Sequence, residues 1–347
     1  MKTRIEFIDF AKGFAMLSIV LFHYFQHFFV GLLDKAITFG GSGVHLFIFI
    51  SGFGLGLSSQ SLSNIPFYKR RFTKIIIPYY SYITFIFILN NYISIYPKDG
   101  LYAFLGHIFL FKMFDESIIG SYGTHLWFLS TIFQLYLVFP LLIKFKNKIG
   151  DIPFIKLSFA VSLIYWVIIN ILNLDKLLVF SNSGLQFLWE FCIGIVLSDF
   201  YLKKEFKFWE INRTYLLIFM VLGIILTGYL AVYGKRTGKT FNDIPAFFGY
   251  TSMVILFFRI SNKLALIRNI ISKIGRISFE LYLSHMVIFY FLNIIFSHYF
   301  STQVSSILGR LFLFLPISIF FAYLFNLLNK KIIVKLQPYL KQSVNFG

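Results

Sequence analysis

The chain has 347 residues, of which 58% are hydrophobic and only 13% charged, and its net charge is +18. Soluble domains carry roughly 25% charged residues, so this composition excludes a water-exposed globular surface and favours an integral membrane protein. The positive charge does not indicate a nucleic-acid partner, because most basic residues lie in short loops between apolar segments rather than on one folded face. Cys192 is the only cysteine, which excludes a disulfide framework.

Apolar runs recur along the whole chain and predict an all-α, polytopic membrane protein with about ten transmembrane helices. The predicted spans cover residues 8–31, 38–59, 75–96, 125–143, 153–173, 183–201, 214–233, 244–260, 277–297 and 306–329. Between the third and the fourth span, the apolar stretch Leu101–Phe111 is too short to cross a bilayer. The segment 97–124 is therefore predicted to be re-entrant or interfacial, and residues 1–347 to form a single integral-membrane domain.

The distribution of Lys and Arg predicts the orientation of these spans. With the N-terminus in the cytoplasm, 24 of the 32 basic residues fall on the cytoplasmic side, as the positive-inside rule requires. Both termini are then cytoplasmic. Lys235, Arg236 and Lys239 go against the rule, so they either face an anionic substrate outside or indicate a misplaced span.

The first span contains Asp9, Lys12, His23 and His27, although a charged side chain at the centre of a span costs about 2.5–3.5 kcal/mol. Lys12 and His23 are eleven positions apart. Eleven helical steps of about 100° bring a residue back to within roughly 20° of its starting direction. We therefore expect one polar stripe from Asp9 to His27, running from the cytoplasmic end to beyond the midplane. Alternatively, Lys12 only snorkels and His23 is a hydrogen-bonded core histidine.

Other ionisable residues fall at membrane depth in the later spans: His45, Glu190, Asp199, Glu280 and His285. Asp199 lies near a cytoplasmic end, where we expect it to be solvated. Glu280 and His285 are five positions apart and point in different directions, so at most one is expected to face the same cavity as His23.

The histidine spacing does not predict a metal site. His23 and His27 form the only pair at HxxxH spacing, and no carboxylate follows them. His107, His125 and His298 fall near the predicted outer face, where an interfacial histidine needs no special partner.

Five stretches resemble, in order and spacing, motifs of the membrane acyltransferase-3 family. They are Ile8–Gly13 leading to His23, Gly43–Phe53, Phe67–Pro78, His125–Leu129 followed by Tyr136 and Pro140, and Ile277–His285. Two positions depart from the family pattern, since Lys12 and Lys74 stand where arginine is expected. Lysine keeps the charge but lacks the bidentate fork of arginine.

The resemblance implies transfer of an acyl group, with acetyl expected, from cytoplasmic acyl-CoA to a hydroxyl of a cell-surface or exported carbohydrate, such as a lipopolysaccharide or exopolysaccharide. It implies a multi-pass protein of the bacterial inner membrane, with acyl-CoA as donor and no metal. The implied site comprises catalytic His23 and Lys12, donor-binding Arg71 and Lys74, and the cavity residues Asp9, Trp127, Tyr136, Glu280 and His285.

Two alternatives stay open at this stage. Without the resemblance, Arg71 and Lys74 are ordinary cytoplasmic loop charges, and Trp127 and Tyr136 are packing residues. A carrier or flippase for a glycan or small anion would also use polar stripes through its helices, although the two halves of this chain show no convincing internal repeat.

Overall fold

A computed structural model describes residues 5–59, 64–300 and 302–342. Within these ranges the chain is helical and contains no β-strand, which confirms the predicted all-α class. The α-helices are α1 (Glu6–Phe25), α2 (Leu32–Thr38), α3 (Gly43–Ser59), α4 (Asn64–Tyr92), α5 (Leu101–Ile108), α6 (Trp127–Ile149), α7 (Asp151–Ile171), α8 (Leu178–Ser181), α9 (Leu188–Leu202), α10 (Arg213–Tyr233), α11 (Lys235–Phe241), α12 (Asp243–Ile260), α13 (Ala265–Arg276), α14 (Ser278–Phe296), α15 (Gln303–Gly309) and α16 (Leu315–Gln342).

Nine segments of the described chain are long and apolar enough to cross a membrane. They are Glu6–Phe25, Leu33–Ser58, Pro66–Tyr92, Thr124–Ile149, Asp151–Ile171, Arg213–Tyr233, Asp243–Lys263, Ser278–Phe296 and Gln303–Leu336. Each corresponds to one predicted span. The polytopic membrane architecture is therefore confirmed.

The predicted span 183–201 is the exception, because α9 has only 15 residues. At 1.5 Å per residue it is roughly 22 Å long, shorter than the roughly 30 Å hydrocarbon core of a bilayer. Most of its side chains are buried inside the protein, so its length need not match the lipid. Helix α5, with 8 residues, is also too short to span, as the sequence predicted for Leu101–Phe111.

The chain divides into two compact units. Unit 1 comprises residues 1–62 and 127–276 and holds α1–α3 and α6–α13, while unit 2 comprises residues 63–126 and 277–347 and holds α4, α5 and α14–α16. The chain thus leaves unit 1 after its third helix and returns to it at Trp127.

In unit 1, α3 and α9 touch backbone to backbone through two glycines. A Cβ atom added at Gly52 would lie 2.1 Å from the carbonyl oxygen of Phe191, and one added at Gly194 would lie 2.2 Å from that of Phe49. Small residues allow such close approach between helices in a membrane, where packing rather than the hydrophobic effect drives association. This contact fixes the spacing of the side chains that α3 and α9 carry toward each other.

Helices α1 and α13 make a second contact of the same kind. A Cβ at Gly13 would lie 1.9 Å from the carbonyl oxygen of Ile271, and one at Gly275 would lie 1.8 Å from that of Asp9. The sequence treated residues 261–276 as a connecting segment between spans. Residues 265–276 form the amphipathic helix α13 instead, and its charged positions lowered the mean hydropathy enough to hide it.

The predicted first span, 8–31, is too long at its C-terminal end. Helix α1 ends at Phe25, and His27 adopts a left-handed conformation with φ of 60°. Its backbone N–H donates to Asp34 Oδ1 at 2.9 Å. His27 is therefore not on the polar stripe, and the prediction of a stripe reaching His27 is wrong.

In unit 2, α14 packs against α16 and α4. Helix α4 has Pro78 in its interior, where the missing N–H and the ring bend a helix. Next to Pro78, the Tyr79 hydroxyl reaches across to His107 on α5, 2.7 Å from its Nδ1. The Tyr80 hydroxyl donates to the carbonyl of Ile108. These contacts attach the short helix α5 to the middle of α4.

Candidate functional site

The polar stripe of α1 is present from Asp9 to His23. Asp9 is buried, while Lys12 and His23 are half-buried; Ala15 and Met16, which lie between them along the chain, are fully buried. Since α1 is helical throughout this range, the eleven-residue spacing places Lys12 and His23 on one side of the helix. The two residues are thus accessible on a helix that is otherwise largely enclosed.

Asp9 has a partner that the sequence did not suggest. The Nε atom of Arg276, at the end of α13, lies 3.5 Å from Asp9 Oδ2. The glycine contact between α1 and α13 brings these two residues together. On the same helix pair, Arg268 donates to Glu6 Oε2 at 2.6 Å. Two arginines of α13 therefore form ion pairs with two acidic residues of α1.

A second polar centre of unit 1 joins three helices that are distant in sequence. His45 of α3 lies with its Nδ1 2.8 Å from Glu190 Oε1 of α9, and with its Nε2 3.7 Å from Asp243 Oδ1 of α12. All three are buried, and Glu190 has no exposed surface. The side-chain amide of Gln186 donates to Asp243 Oδ2 at 2.6 Å. One imidazole thus lies between two carboxylates.

His45, Asp243 and Gln186 line a cavity of about 580 Å³, and Glu190 is not among its lining residues. The wall combines polar groups with aromatic rings, and it includes Gly41, Val44, His45, Trp127, Ile169, Asp175, Lys176, Leu178, Ser181, Asn182, Gln186, Phe187, Thr240 and Asp243. Clefts of a few hundred Å³ with a few convergent polar groups are typical ligand sites.

Trp127 and Tyr136, predicted as cavity residues, both lie on α6 in unit 1. The Trp127 ring stacks on Phe187, with centroids 5.9 Å apart, and lines the cavity described above. The Tyr136 ring lies beside Phe191, at 6.3 Å between centroids, and is not among the residues that line this cavity.

The remaining predicted site residues lie in unit 2. Arg71 is half-buried and Lys74 exposed, and they are three positions apart on α4, which places them as neighbours on the helix surface. Glu280 accepts a hydrogen bond from the Asn326 side chain at 2.9 Å. His285 places its Nδ1 2.8 Å from the carbonyl oxygen of Tyr282.

Unit 2 also contains buried polar groups in the segment between α4 and α6. His107 is fully buried, not interfacial, and its ring nitrogens lie 2.7 Å from the Tyr79 hydroxyl and 2.8 Å from the Ser121 hydroxyl. Burial, with a contribution from Lys112, lowers the pKa of His107 well below its usual range. His107 is therefore a neutral imidazole held by two hydroxyls.

Lys112 is 2% exposed, and among the described residues its Nζ has no hydrogen-bond partner. Burial lowers the pKa of Lys112 to about 7, opposed by the charge of Asp99. Burial in turn raises the pKa of Asp99.

Sequence reasoning named two of the three residues in the His45 centre. His45 and Glu190 stood out as ionisable residues at membrane depth, but Asp243 fell one position before a predicted span and was not singled out. The signal that would have found it is an acid directly before the first residue of a predicted apolar span. The basic cluster Lys235, Arg236 and Lys239 belongs to α11, and its side chains lie outside the described residues.

Comparison with known protein families finds a match over most of the chain. A family model described as an acyltransferase domain, that of the acyltransferase-3 family, matches residues 5–327. No curated protein and no solved structure matches the chain significantly.

Proposed function

The chain belongs to the acyltransferase-3 family, and we propose that it transfers an acyl group, with acetyl expected, from cytoplasmic acyl-CoA to a hydroxyl of a cell-surface or exported carbohydrate. Family membership supports acyl transfer in general. The donor, the acceptor and a location in the bacterial inner membrane are parts of the proposal.

The observation that carries the choice of acceptor is the cavity in unit 1. Its wall offers hydroxyl, amide and carboxyl groups beside the half-buried indole of Trp127. A sugar presents many hydroxyls and apolar C–H faces, so this mixture of hydrogen-bonding groups and flat rings suits it. Under the predicted topology, the helix ends that form this wall lie on the outer side.

His23 supplies the chemistry of the transfer step. A neutral imidazole accepts the proton of the attacking hydroxyl and returns it to the departing thiolate of CoA. The ammonium of Lys12 stabilises the negative charge that develops on the thioester oxygen. In this scheme the new C–O bond forms as the C–S bond breaks, and free CoA is the second product.

Arg71 and Lys74 serve the donor. Phosphate groups are recognised by charge-assisted hydrogen bonds, and these two basic residues on one surface of α4 match the phosphates of CoA. Their positions in the predicted topology are cytoplasmic, where acyl-CoA is available.

The test is an assay with the purified full chain reconstituted in lipid, labelled acetyl-CoA and a panel of glycans. We expect CoA release and label transfer that both require an acceptor, and a loss of about 10²–10⁴-fold in His23→Asn, the range that general acid–base groups contribute. His298→Asn alters an exposed histidine and should match wild type. Transport of glycan without any label transfer, or full transfer by His23→Asn, would contradict the proposal.

Lys12 gives a sharper version of the same test. Lys12→Arg keeps the charge and restores the residue expected from the family, so it should retain most of the activity. Lys12→Ala removes the charge. It should lower kcat and leave the KM for acetyl-CoA nearly unchanged. Equal activity of the two variants would remove Lys12 from the transfer step.

A further inference from the structure

The two nitrogens of His45 have different environments. Nδ1 makes a normal hydrogen bond with Glu190 Oε1 at 2.8 Å. Nε2 is 3.7 Å from Asp243 Oδ1, which is beyond the range of a hydrogen bond. A group other than a shared proton therefore fits between Nε2 and Asp243.

The 3.7 Å separation matches two ligands of one metal ion. When a nitrogen and an oxygen each bind the same ion at about 2.1 Å with near-tetrahedral angles, they lie roughly 3.4 Å apart. A metal-binding histidine commonly donates its other N–H to a carboxylate, which fixes the ring and its tautomer. Glu190 stands in that position relative to His45.

The buried side chains that contact His45 and Asp243 also favour a positive charge nearby. Gln186 lines the cavity and is 4% exposed, and Glu190 is fully buried. Within the described part of the chain, neither Gln186 Oε1 nor Glu190 Oε2 has a hydrogen-bond partner. Buried oxygens without a donor are costly, and a nearby positive charge reduces that cost.

The charges lead to the same conclusion. When both are ionised, Glu190 and Asp243 carry two negative charges inside the protein, and a protonated His45 offsets only one of them. A divalent cation beside a neutral imidazole would balance both. Among the described residues, one group of three His, Cys, Asp or Glu side chains has all its ligand atoms within 4.8 Å of one another. This group is His45, Glu190 and Asp243.

We propose that His45 Nε2 and Asp243 bind a divalent cation at the wall of the unit 1 cavity, with Glu190 as the positioning residue for the imidazole. The mixed nitrogen and oxygen ligands suit a zinc-like transition metal better than Mg²⁺ or Ca²⁺. The remaining coordination positions face the cavity. The sequence analysis predicted no metal site here, because His45, Asp243 and the positioning residue Glu190 come from three different helices.

The proposal does not depend on the acyl transfer proposed above, since binding is measured without donor or acceptor. The competing arrangement is a protonated His45 in a buried ion pair with both carboxylates. That arrangement needs no metal, so a metal titration separates the two.

The experiment uses the full chain in detergent, with any affinity tag removed and bound metal stripped with a chelator. Titration with Co²⁺ should give visible absorption bands at a stoichiometry of one ion per chain, and Zn²⁺ should abolish them by competition. His45→Gln and Asp243→Asn should eliminate this binding. Glu190→Gln should keep the stoichiometry but weaken the affinity by about 10–100-fold.

His298→Gln is the matched control, because it makes the same substitution at an exposed histidine and should leave the titration unchanged. Gel filtration of each variant establishes that it is folded. If His45→Gln and Asp243→Asn unfold, X-ray absorption of the wild-type protein with one equivalent of Zn²⁺ provides the test. We expect the spectrum to show scattering from a single imidazole ligand. Binding that persists in both ligand variants, a first shell without imidazole, or no Co²⁺ binding by the wild type would overturn the proposal.

Discussion

His45 in unit 1 and His107 in unit 2 are both buried histidines, yet their surroundings differ in kind. His45 faces two carboxylates and a cavity, while His107 faces the hydroxyls of Tyr79 and Ser121. His107 is not among the residues that line the unit 1 cavity.

The difference shows how to distinguish a structural histidine from one placed for chemistry. Two hydroxyls satisfy a neutral imidazole completely, because each can donate or accept as the tautomer requires. Two carboxylates are acceptors only and leave charge to be balanced. Burial and hydrogen bonding alone therefore say little, and the charge of the partners is the informative property.

The largest effect should come from removing each imidazole in turn. His45→Leu leaves two buried carboxylates without their partner, and we expect it to lower the free energy of unfolding by about 3–5 kcal/mol. His107→Leu leaves two neutral hydroxyls and should cost about 1–3 kcal/mol. Unfolding in chelator-containing detergent buffer measures both. Equal losses would remove the distinction between the two histidines.

The glycine contact that sets the distance from His45 to Glu190 can be tested next. Gly194→Ala forces α3 and α9 apart, because its Cβ would meet the Phe49 carbonyl. We expect the free energy of unfolding to fall by about 1–3 kcal/mol and acyl transfer to be reduced.

The matched control for Gly194→Ala is Gly54→Ala, on α3, where an added Cβ meets nothing within 4 Å. It should be neutral or slightly stabilising, since alanine favours the helix. If both alanine variants behave alike, the close packing of α3 on α9 does not hold the His45 centre in place.

Lys112 near His107 predicts a dependence of stability on pH. Its pKa is about 7 in the folded protein, against 10.5 for an ordinary lysine. Between these values the unfolded chain binds more protons, so the stability contribution of Lys112 rises with pH by at most about 1.4 kcal/mol per unit. Below pH 7 the buried side chain is charged, and its full unfavourable contribution to stability is present.

Lys112→Met removes this titration. We expect the variant to be more stable than wild type at pH 6.5, with the difference shrinking as the pH approaches 9.5. Melting temperatures in detergent across this range provide the measurement. A constant difference between the two proteins would show that Lys112 does not change its protonation on folding.

The smallest effect concerns one hydroxyl beside His107. Tyr79→Phe deletes the neutral hydrogen bond to His107, and the free energy of unfolding should fall by about 0.5–1.5 kcal/mol without a change in acyl transfer. Tyr323→Phe, at a half-exposed tyrosine of α16, serves as its control and should change neither quantity. A large loss of activity in Tyr79→Phe would instead place Tyr79 and His107 in the catalytic machinery.

The sequence was sufficient to predict the helices that contact lipid, because lipid requires each of them to be long and apolar. It was also sufficient for the pairing of Lys12 with His23 on one side of α1, since that follows from helical periodicity alone. It failed at the end of α1, where the apolar residues after Phe25 continue the hydropathy signal although the chain turns.

The His45 centre was beyond the sequence for a different reason. His45 and Glu190 are 145 positions apart, and what joins them is the backbone contact through Gly52 and Gly194. Hydropathy and periodicity describe one helix at a time and contain no information on which helices meet. The same reason explains why Arg276 was not expected beside Asp9.

The contact between α1 and α13 has a mechanical consequence. Helices that touch through side chains can accommodate a small displacement by changing side-chain rotamers. The backbones of α1 and α13 touch at Gly13 and Gly275, which have no side-chain rotamers to change. Leu266 on α13 has 72% of its surface exposed, so a force from the surroundings can act on this short helix directly. We therefore expect a displacement of α13 to move the turn of α1 that carries Lys12, with the two helices moving as one rigid unit.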